Sequence, residues 1–224
     1  MSAQCGPMNQ LTERRLEERE RRRLEILDAA EAVASVVGIE AMTMEQVARK
    51  ARLSRALVYV YFHDKSDLLV AVCLRALHQL NALFEAVTAR DLEGRKQVHE
   101  CGRAYVNFAR EFPVRFEVLA HFEAHSPGGD HDPAYEELLQ AGELPQAKLV
   151  QAIITGMEDG SIRRELGSPM LVGFTLWGLM HGILQLTLHK SGSLQRCGVS
   201  ADQLIEHAFH FALGALAPTT ERTA

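Results

Sequence analysis

The chain has 224 residues, and its abundance of Ala, Leu, Glu and Arg, with few alternating β-branched runs, predicts an all-α protein long enough for a small and a larger domain. The net charge of −5 argues against a nucleic-acid-binding protein until it is divided, because residues 1–75 sum to +1 and residues 76–224 to −6. The N-terminus is polar and then charged, unlike a signal peptide. The four cysteines are widely spaced and form no metal or redox pattern. Together these observations predict a cytoplasmic protein with reduced thiols.

The N-terminal segment changes character at Leu11. Residues 1–10 contain Gly, Pro and Asn and are predicted to be disordered, whereas Glu13 to Arg23 mixes acidic and basic residues in the manner of a solvated helix. This run is either a charged extension of the first helix or an arm that reaches the phosphates or minor groove of DNA. The arm would use the arginines Arg14, Arg15, Arg19, Arg21, Arg22 and Arg23.

Residues 43–65 predict two short helices joined by a tight turn. Thr43 is a suitable N-cap for the first helix, which ends near Ala51, and Ser54 is a suitable N-cap for the second. Arg52 and Leu53 form the turn between them. The buried face is predicted to consist of Val47, Ala48, Leu53, Val58 and Phe62.

The outer face of the second helix carries a distinctive set of side chains. Arg55, Ala56, Leu57, Tyr59 and Tyr61 are small, aromatic or basic, whereas a solvated helix would carry Glu and Lys. Such a face suits the major groove of DNA, and Arg49, Lys50 and Arg52 nearby allow a local basic surface on a nearly neutral domain.

About fifty consecutive residues resemble the N-terminal domain of the tetracycline-repressor (TetR) family of bacterial transcription regulators. Ile26, Ala29 and Ala30 with Gly38 match the family's first helix and its end, and residues 64–69 match the start of its fourth. One departure is Arg52, which stands where the family often has a Gly in left-handed conformation.

The resemblance implies a three-helix DNA-binding domain with a helix-turn-helix over residues 21–66, preceded by a charged or disordered extension of residues 1–20. It also implies a larger helical domain for ligand binding and dimerisation over residues 67–217, followed by a disordered tail of residues 218–224. Arg55, Ala56 and Leu57 would read bases, and Tyr59 would contact a phosphate or a thymine methyl group. Thr43, Tyr61 and Lys65 would hold phosphates. The implied protein is not an enzyme and needs no cofactor: it is a repressor that binds a palindromic double-stranded operator as a dimer and is released by a small-molecule effector.

The second part of the chain predicts further helices. One long helix covers residues 67–89, and later breaks are predicted near residues 91–92, 112–113, 126–129, 142–145 and at Gly160. Pro145 suits the first turn of a helix, and Gly160 suits a helix C-terminus.

Residues 169–188 are apolar enough to raise the possibility of a membrane span, but they include Thr175, His181 and Gln185, and no other segment is similar. Gly173, Gly178 and Gly182 would let another helix approach closely. With a final helix over residues 201–216, this segment resembles the family's four-helix dimer interface. We therefore predict a homodimer through residues 169–190 and 201–216 and no membrane insertion.

The effector pocket is predicted only as a set of candidates, because the same residues at helical spacing could simply be core. They are Phe84, Tyr105, Phe108, Phe116, His121, Phe122, Phe174, Trp177, Met180 and His181.

Two other functions remain open. Glu117, His121 and His125 recur every four residues, and an Asp-His-Asp run follows at residues 130–132. These side chains could bind a metal ion, either in a metal-responsive regulator or in a helical-bundle metalloenzyme. Histidines that bind no metal can have the same spacing. No Glu has a His three residues later, and no nucleophile elbow, P-loop or dinucleotide fingerprint is present, which argues against the enzyme. An architectural DNA-binding protein would need no large second domain.

Overall fold

The computed structural model describes residues 7–124 and 133–218, with side chains over residues 12–122 and 136–218. Every regular element in these ranges is helical, which confirms the all-α prediction. The helices are α1 (Pro7–Val37), α2 (Met44–Ala51), α3 (Arg55–Tyr61), α4 (Lys65–Thr88), α5 (Gly94–Glu111), α6 (Pro113–Ala124), α7 (Pro133–Asp159), α8 (Pro169–His189), α9 (Ser191–Arg196) and α10 (Ala201–Leu216), with a 3₁₀ turn at Arg164–Leu166.

The chain forms two compact units. The first unit comprises Met1–Arg75 and Val114–Gly128, and the second comprises Ala76–Pro113 and Gly129–Ala224. In the first unit α1, α2 and α3 pack together, and in the second unit α5, α7, α8 and α10 pack together.

Helix α1 begins earlier than the sequence suggests. Residues 7–10, which were predicted to be disordered, belong to α1, whereas residues 1–6 and 219–224 lie outside the described residues. Arg21 and Arg22 bridge Glu18 and Glu25 at helical spacing, with N–O distances of 2.7 to 3.2 Å. These i,i+3 and i,i+4 pairs support a solvated helix whose N-terminal part has no apolar face to bury.

An ion-pair network links α1, α4 and α6 inside the first unit. Arg115 of α6 is 8% exposed, and its Nε donates to both carboxylate oxygens of Glu31 in α1 at 3.0 Å. Arg75 of α4 lies 3.5 Å from the same carboxylate and pairs with Asp28 at 2.5 Å. Glu31 therefore compensates two guanidinium groups, one of which is buried.

The second unit contains a close helix contact where α5 begins. Gly94 lies against α7, and a Cβ atom added to it would be 2.6 Å from the carbonyl oxygen of Ala152 and closer still to the backbone nitrogen of Gly156. Backbone atoms cannot move aside as a side chain can. Only glycine allows this approach, so position 94 fixes how α5 and α7 pack.

The first turn of α5 is capped by residues from a distant part of the chain. Its N-cap residue, Glu93, makes no side-chain capping bond, but Asp159 Oδ2 accepts from the Gly94 N–H at 2.7 Å and Ser161 Oγ accepts from the Arg95 N–H at 3.0 Å. Partial desolvation acts to raise the pKa of Asp159, but the hydrogen bonds from Ser161 and Gly94 outweigh it and lower the pKa. The carboxylate therefore stays charged beside the helix N-terminus.

Replacing Gly94 by Ala is expected to lower the free energy of unfolding by about 3 kcal/mol, because the methyl group would overlap backbone atoms of α7. Urea unfolding followed by circular dichroism measures the loss. Gly142→Ala in α7 is the control, since no atom lies within 4 Å of its Cβ position and alanine favours the helix. Equal stability for the two variants would contradict the close contact.

The predicted break at residues 142–145 is wrong. Helix α7 continues through Pro145, and Leu138, Ala141, Leu149 and Ile153 are buried on both sides of it. Proline inside a helix costs about 3 kcal/mol, but burying one continuous apolar face offsets this cost. The break predicted at Gly160 is confirmed, with φ of 79°, whereas the predicted loop at residues 126–129 lies outside the described residues. Helix α9 and the 3₁₀ turn were not predicted.

Within residues 7–124 and 133–218, two helices, α4 and α8, are long and apolar enough to cross a membrane by length and composition alone. Of the apolar window in α4, 56% is buried within the chain, whereas in α8 only 22% is buried. The apolar surface of α8 is thus largely uncovered in the single chain.

Candidate nucleic-acid interface

Helix α2 is fixed at its start by a reciprocal cap. Thr43 Oγ1 accepts from the Gln46 N–H at 3.3 Å, and the Gln46 side chain accepts from the Thr43 N–H at 2.9 Å. This capping box satisfies two backbone donors at once. It confirms Thr43 as the N-cap and shows that the exposed side chain of Thr43 is already engaged at the surface.

The turn between α2 and α3 depends on a left-handed residue. Arg52 has φ of 57° and ψ of 36°, and it is the sole non-glycine residue with positive φ in the described ranges. Its N–H bonds to Arg49, and the Leu53 N–H bonds to the Ala48 carbonyl at 2.9 Å, which closes the end of α2. Arginine keeps the conformation predicted for glycine, at a cost of about 1 kcal/mol or more.

The orientation of α3 follows from its cap and its buried face. Ser54 Oγ accepts from the Leu57 N–H at 3.1 Å, as predicted for an N-cap. Val58 and Phe62 are at most 1% exposed, and Val47 and Ala48 of α2 are buried as well, whereas Leu53 is only half-buried. The helix is therefore held by one apolar face and presents the opposite one.

Among the predicted base-reading residues, Arg55 and Ala56 are exposed and Leu57 is half-buried. Tyr59 is 40% exposed, and the Arg55 guanidinium lies over its ring at 5.5 Å from the centroid. A side-chain hydrogen bond to Tyr59 also raises the pKa of Arg55, so the two contacts together hold the arginine in place and leave its remaining N–H groups available. Arg55 and Tyr59, which are one helical turn apart, thus form one continuous surface.

Val60 was missed by the sequence reasoning. It is 72% exposed on α3, and it follows Ala56 by one helical turn, so the helical period could have revealed it. An apolar side chain on this face can contact the methyl group of thymine.

The predicted phosphate-binding residues Tyr61 and Lys65 are both half-buried. Lys65 Nζ donates to the Glu40 carbonyl oxygen at 2.7 Å, which leaves two of its N–H groups for another acceptor. Beside it, the backbone hydrogen bond from Asp67 lowers the pKa of Asp64, which caps the start of α4.

The predicted pocket residues fall into both units. In the first unit Phe116 is fully buried and His121 and Phe122 are half-buried, so Phe116 belongs to the core. In the second unit Phe174 is 53% exposed, whereas four of the set are buried: Phe84, Tyr105, Phe108 and Met180.

Three of the second-unit candidates come together around His181. Its Nδ1 lies 2.8 Å from the Tyr105 hydroxyl, and the ring centroid of Trp177 is 5.4 Å from that of His181. Its Nε2 lies 3.4 Å from the Gln185 amide nitrogen, which can only donate, so the proton belongs on Nδ1. Burial lowers the pKa of His181 and favours this neutral ring.

The predicted metal set is not assembled in the described part of the chain. There, no three His, Cys, Asp or Glu side chains converge on a common point. His121 Nδ1 lies 3.5 Å from Glu40 Oε1, Glu117 is half-buried on the same helix, and His125 lies outside the described residues, as do residues 130–132. Burial raises the pKa of Cys101 to about 12, so this thiol is neither a ready ligand nor a redox centre.

Known proteins resemble this chain in both sequence and fold. BetI from Burkholderia cenocepacia, an HTH-type transcriptional regulator, is 33% identical over 122 residues, which cover 54% of this chain and 61% of BetI. The HTH-type transcriptional regulator HbdR from Aromatoleum sp. is 28% identical over 170 residues, which cover 72% of this chain and 71% of HbdR. The chain thus spans about three-fifths of the length of the BetI relatives that it matches.

Solved structures share the fold. A protein of unknown function from Rhodococcus sp. RHA1 superimposes with a TM-score of 0.71 at 23% sequence identity. The match covers 88% of this chain and 95% of the Rhodococcus chain. The TetR family regulator PfmR from Thermus thermophilus gives 0.65 at 18% identity, with coverage of 88% and 99%.

Two family models match the chain. Residues 26–72 match the bacterial regulatory proteins of the tetR family, and residues 98–212 match the tetracyclin repressor-like C-terminal domain. Members of this family are transcription regulators, which typically bind DNA as dimers and respond to small molecules. The second model alone spans more than half of the sequence, and the chain therefore belongs to the tetR family of bacterial regulatory proteins.

Proposed function

We propose that this chain is a DNA-binding transcription repressor that recognises a palindromic operator as a homodimer. The observation that carries the proposal is α3, which is anchored by Val58 and Phe62 and turns Arg55, Ala56 and Tyr59 outward. One short helix contacts only a few base pairs, so two copies related by a twofold axis provide the selectivity. No catalytic role is part of this proposal.

The roles assigned to individual residues follow from chemistry and exposure. Arg55 would donate to guanine O6 and N7, with Ala56 and Leu57 beside it against neighbouring base edges. Tyr59 would contact a thymine methyl group or a phosphate. Thr43, Tyr61 and Lys65 would hold phosphates at the two ends of the motif.

The homodimer would form through α8 and α10. On α8, Leu171 is 61% exposed and Phe174 53%, and Gly178 and Gly182 follow Phe174 at one-turn spacing with no atom within 4 Å of their Cβ positions. On α10, Phe211 is 66% exposed. Bulky apolar side chains beside open glycines form the kind of surface that a second helix pair can fill. Association with a second copy, rather than with a membrane, would cover this surface.

The effector would act on the second unit, and the polar group formed by Tyr105, Trp177 and His181 is the best-supported place for it. Here polar side chains are held by hydrogen bonds in apolar surroundings, which is the typical chemistry of a small-molecule site. A ligand that binds better to one conformation would release the operator by its differential affinity alone. We assign the protein to the cytoplasm, where its DNA target lies.

Two substitutions test how α3 binds DNA. Arg55→Ala is expected to relax the base preference at one operator position by about 1–3 kcal/mol, because it removes a bidentate interaction with guanine. Tyr61→Ala is expected to weaken binding to all sequences alike, because it removes a hydrogen bond to a phosphate. Fluorescence anisotropy with operators selected from a random library measures both.

Glu93→Ala is the control for this test, because Glu93 lies in the second unit and makes no capping bond. If wild-type protein enriches no sequence, or if both α3 variants bind as it does, α3 is not the reading element.

A further inference from the structure

An open groove of about 580 Å³ lies beside α3, and its described lining residues all belong to the first unit. One wall is the N-terminal part of α1, and the other is the end of α3. We call it the arm groove, and it is lined by Arg14, Arg15, Glu18, Arg19, Val60 and Tyr61. Because Val60 and Tyr61 also belong to α3, whatever occupies the groove is continuous with the surface that faces DNA.

The six arginines of the N-terminal run are not equivalent. Arg21 and Arg22 are each paired with both Glu18 and Glu25. Arg23 lies over the ring of Phe62, 5.4 Å from its centroid. These three arginines are therefore committed to contacts within the protein.

The other three arginines face the groove. Arg14, Arg15 and Arg19 are exposed and make no ion pair with any residue that the structure describes. Glu18, the one carboxylate among the described lining residues, is shared between Arg21 and Arg22. Three arginines that make no ion pair with any described residue thus line the groove beside one carboxylate that is already neutralised.

We propose that the arm groove seats the DNA backbone next to the base pairs read by α3, with Arg14, Arg15 and Arg19 on successive phosphates and the Tyr61 hydroxyl beside them. Guanidinium groups bind phosphate oxygens through paired N–H donors, and an arginine with no ion pair to a described residue breaks none of those contacts when it does so. This inference rests on the proposed DNA-binding function. It assigns three of the six arginines in the N-terminal run to DNA and leaves the other three to contacts within the protein.

The test compares two double substitutions that remove equal charge. Arg15→Gln with Arg19→Gln removes groove arginines, whereas Lys96→Gln with Arg196→Gln removes exposed cations of the second unit and leaves Glu18 paired with Arg21 and Arg22. Binding of the full-length protein to its selected operator is measured by fluorescence anisotropy over a series of salt concentrations. Circular dichroism and thermal unfolding confirm that both variants are folded.

We expect the groove variant to bind every sequence more weakly and to lower the slope of log affinity against log salt by about 0.9 for each phosphate that it no longer neutralises. The control variant should keep the wild-type slope. Equal slopes for the two variants would overturn the proposal. If both slopes fall, the arginines act only through the general electrostatic field of the protein, and if neither slope falls, the groove does not contact phosphates. A changed preference for A·T flanking pairs would instead assign the arginines to the minor groove.

The wild-type protein separates this inference from the one on which it rests. If wild type selects an operator while the groove variant binds as tightly, only the arm groove is wrongly assigned. If wild type selects no sequence at all, the proposed function fails and the arm groove fails with it.

Discussion

Replacing Phe174 and Phe211 together by Asp is expected to give a folded monomer that no longer binds a palindromic operator tightly. Both rings are more than half exposed in the single chain, at 53% and 66%, so the change removes no internal core packing. In a dimer it would bury like charges in an apolar interface. A monomer then binds one half-site alone, and the affinity should fall by about 100-fold or more.

Analytical ultracentrifugation measures the mass of this variant, and fluorescence anisotropy measures its affinity. Leu139→Asp on α7 is the matched control, because Leu139 is 47% exposed in the same unit but belongs to neither α8 nor α10. If the double variant remains a dimer, or if Leu139→Asp dissociates it equally well, the interface lies elsewhere.

Removing the carboxylate of Glu31 is expected to cause the largest loss of stability. Glu31→Ala leaves the guanidinium of Arg115, which is 8% exposed, without the partner to which its Nε is bonded. Removing one partner of a buried ion pair costs about 3–5 kcal/mol. Urea unfolding should show this loss in the free energy of unfolding.

Asp28→Ala is the control, because Asp28 pairs with Arg75 from an exposed position and such surface pairs contribute about 0–1 kcal/mol. Glu31→Ala with Arg115→Met should recover much of the stability, since an apolar side chain of similar length needs no charge partner. A small loss for Glu31→Ala, equal to that of Asp28→Ala, would contradict the structural importance of the network.

Local chemistry explains which features of the fold could be predicted. The N-caps Thr43 and Ser54 and the helix over residues 201–216 depend on residues within one turn of each other, and the structure confirms all three. The capping boxes were also visible, since Gln46 and Gln203 each follow the N-cap by three residues, but they were not recognised.

Features that depend on distant residues could not be predicted. Whether Pro145 ends a helix depends on the apolar face that α7 buries on both sides, and propensity alone gives the wrong answer. On α10 the residues that turn inward are Ile205, Ala208, Phe209, Ala212 and Leu216, whereas Phe211 is 66% exposed. The pairing of Arg115 with Glu31 joins residues 84 positions apart and has no local signal.

The candidate site divides in the same way. The exposed face of α3 follows from helical periodicity, so Arg55, Ala56 and Tyr59 could be named from the sequence, although their DNA contacts remain predictions. The sequence could not distinguish the groove arginines from the internally paired ones. Arg15 and Arg21 have similar sequence surroundings and differ in which carboxylates they reach.

The distant cap on α5 also dictates when the second unit can form during synthesis. The first turn of α5 leaves the ribosome 65 residues before Asp159, so its N–H groups must wait for the end of α7 before they find their acceptors. The segment after α7 is tied in turn to the end of α10, where the Leu216 carbonyl accepts from the Arg163 N–H at 3.1 Å. Contacts of such long range slow folding and delay it until nearly the whole chain has emerged. A nascent chain therefore completes this unit last, when nearly all of its residues have left the ribosome.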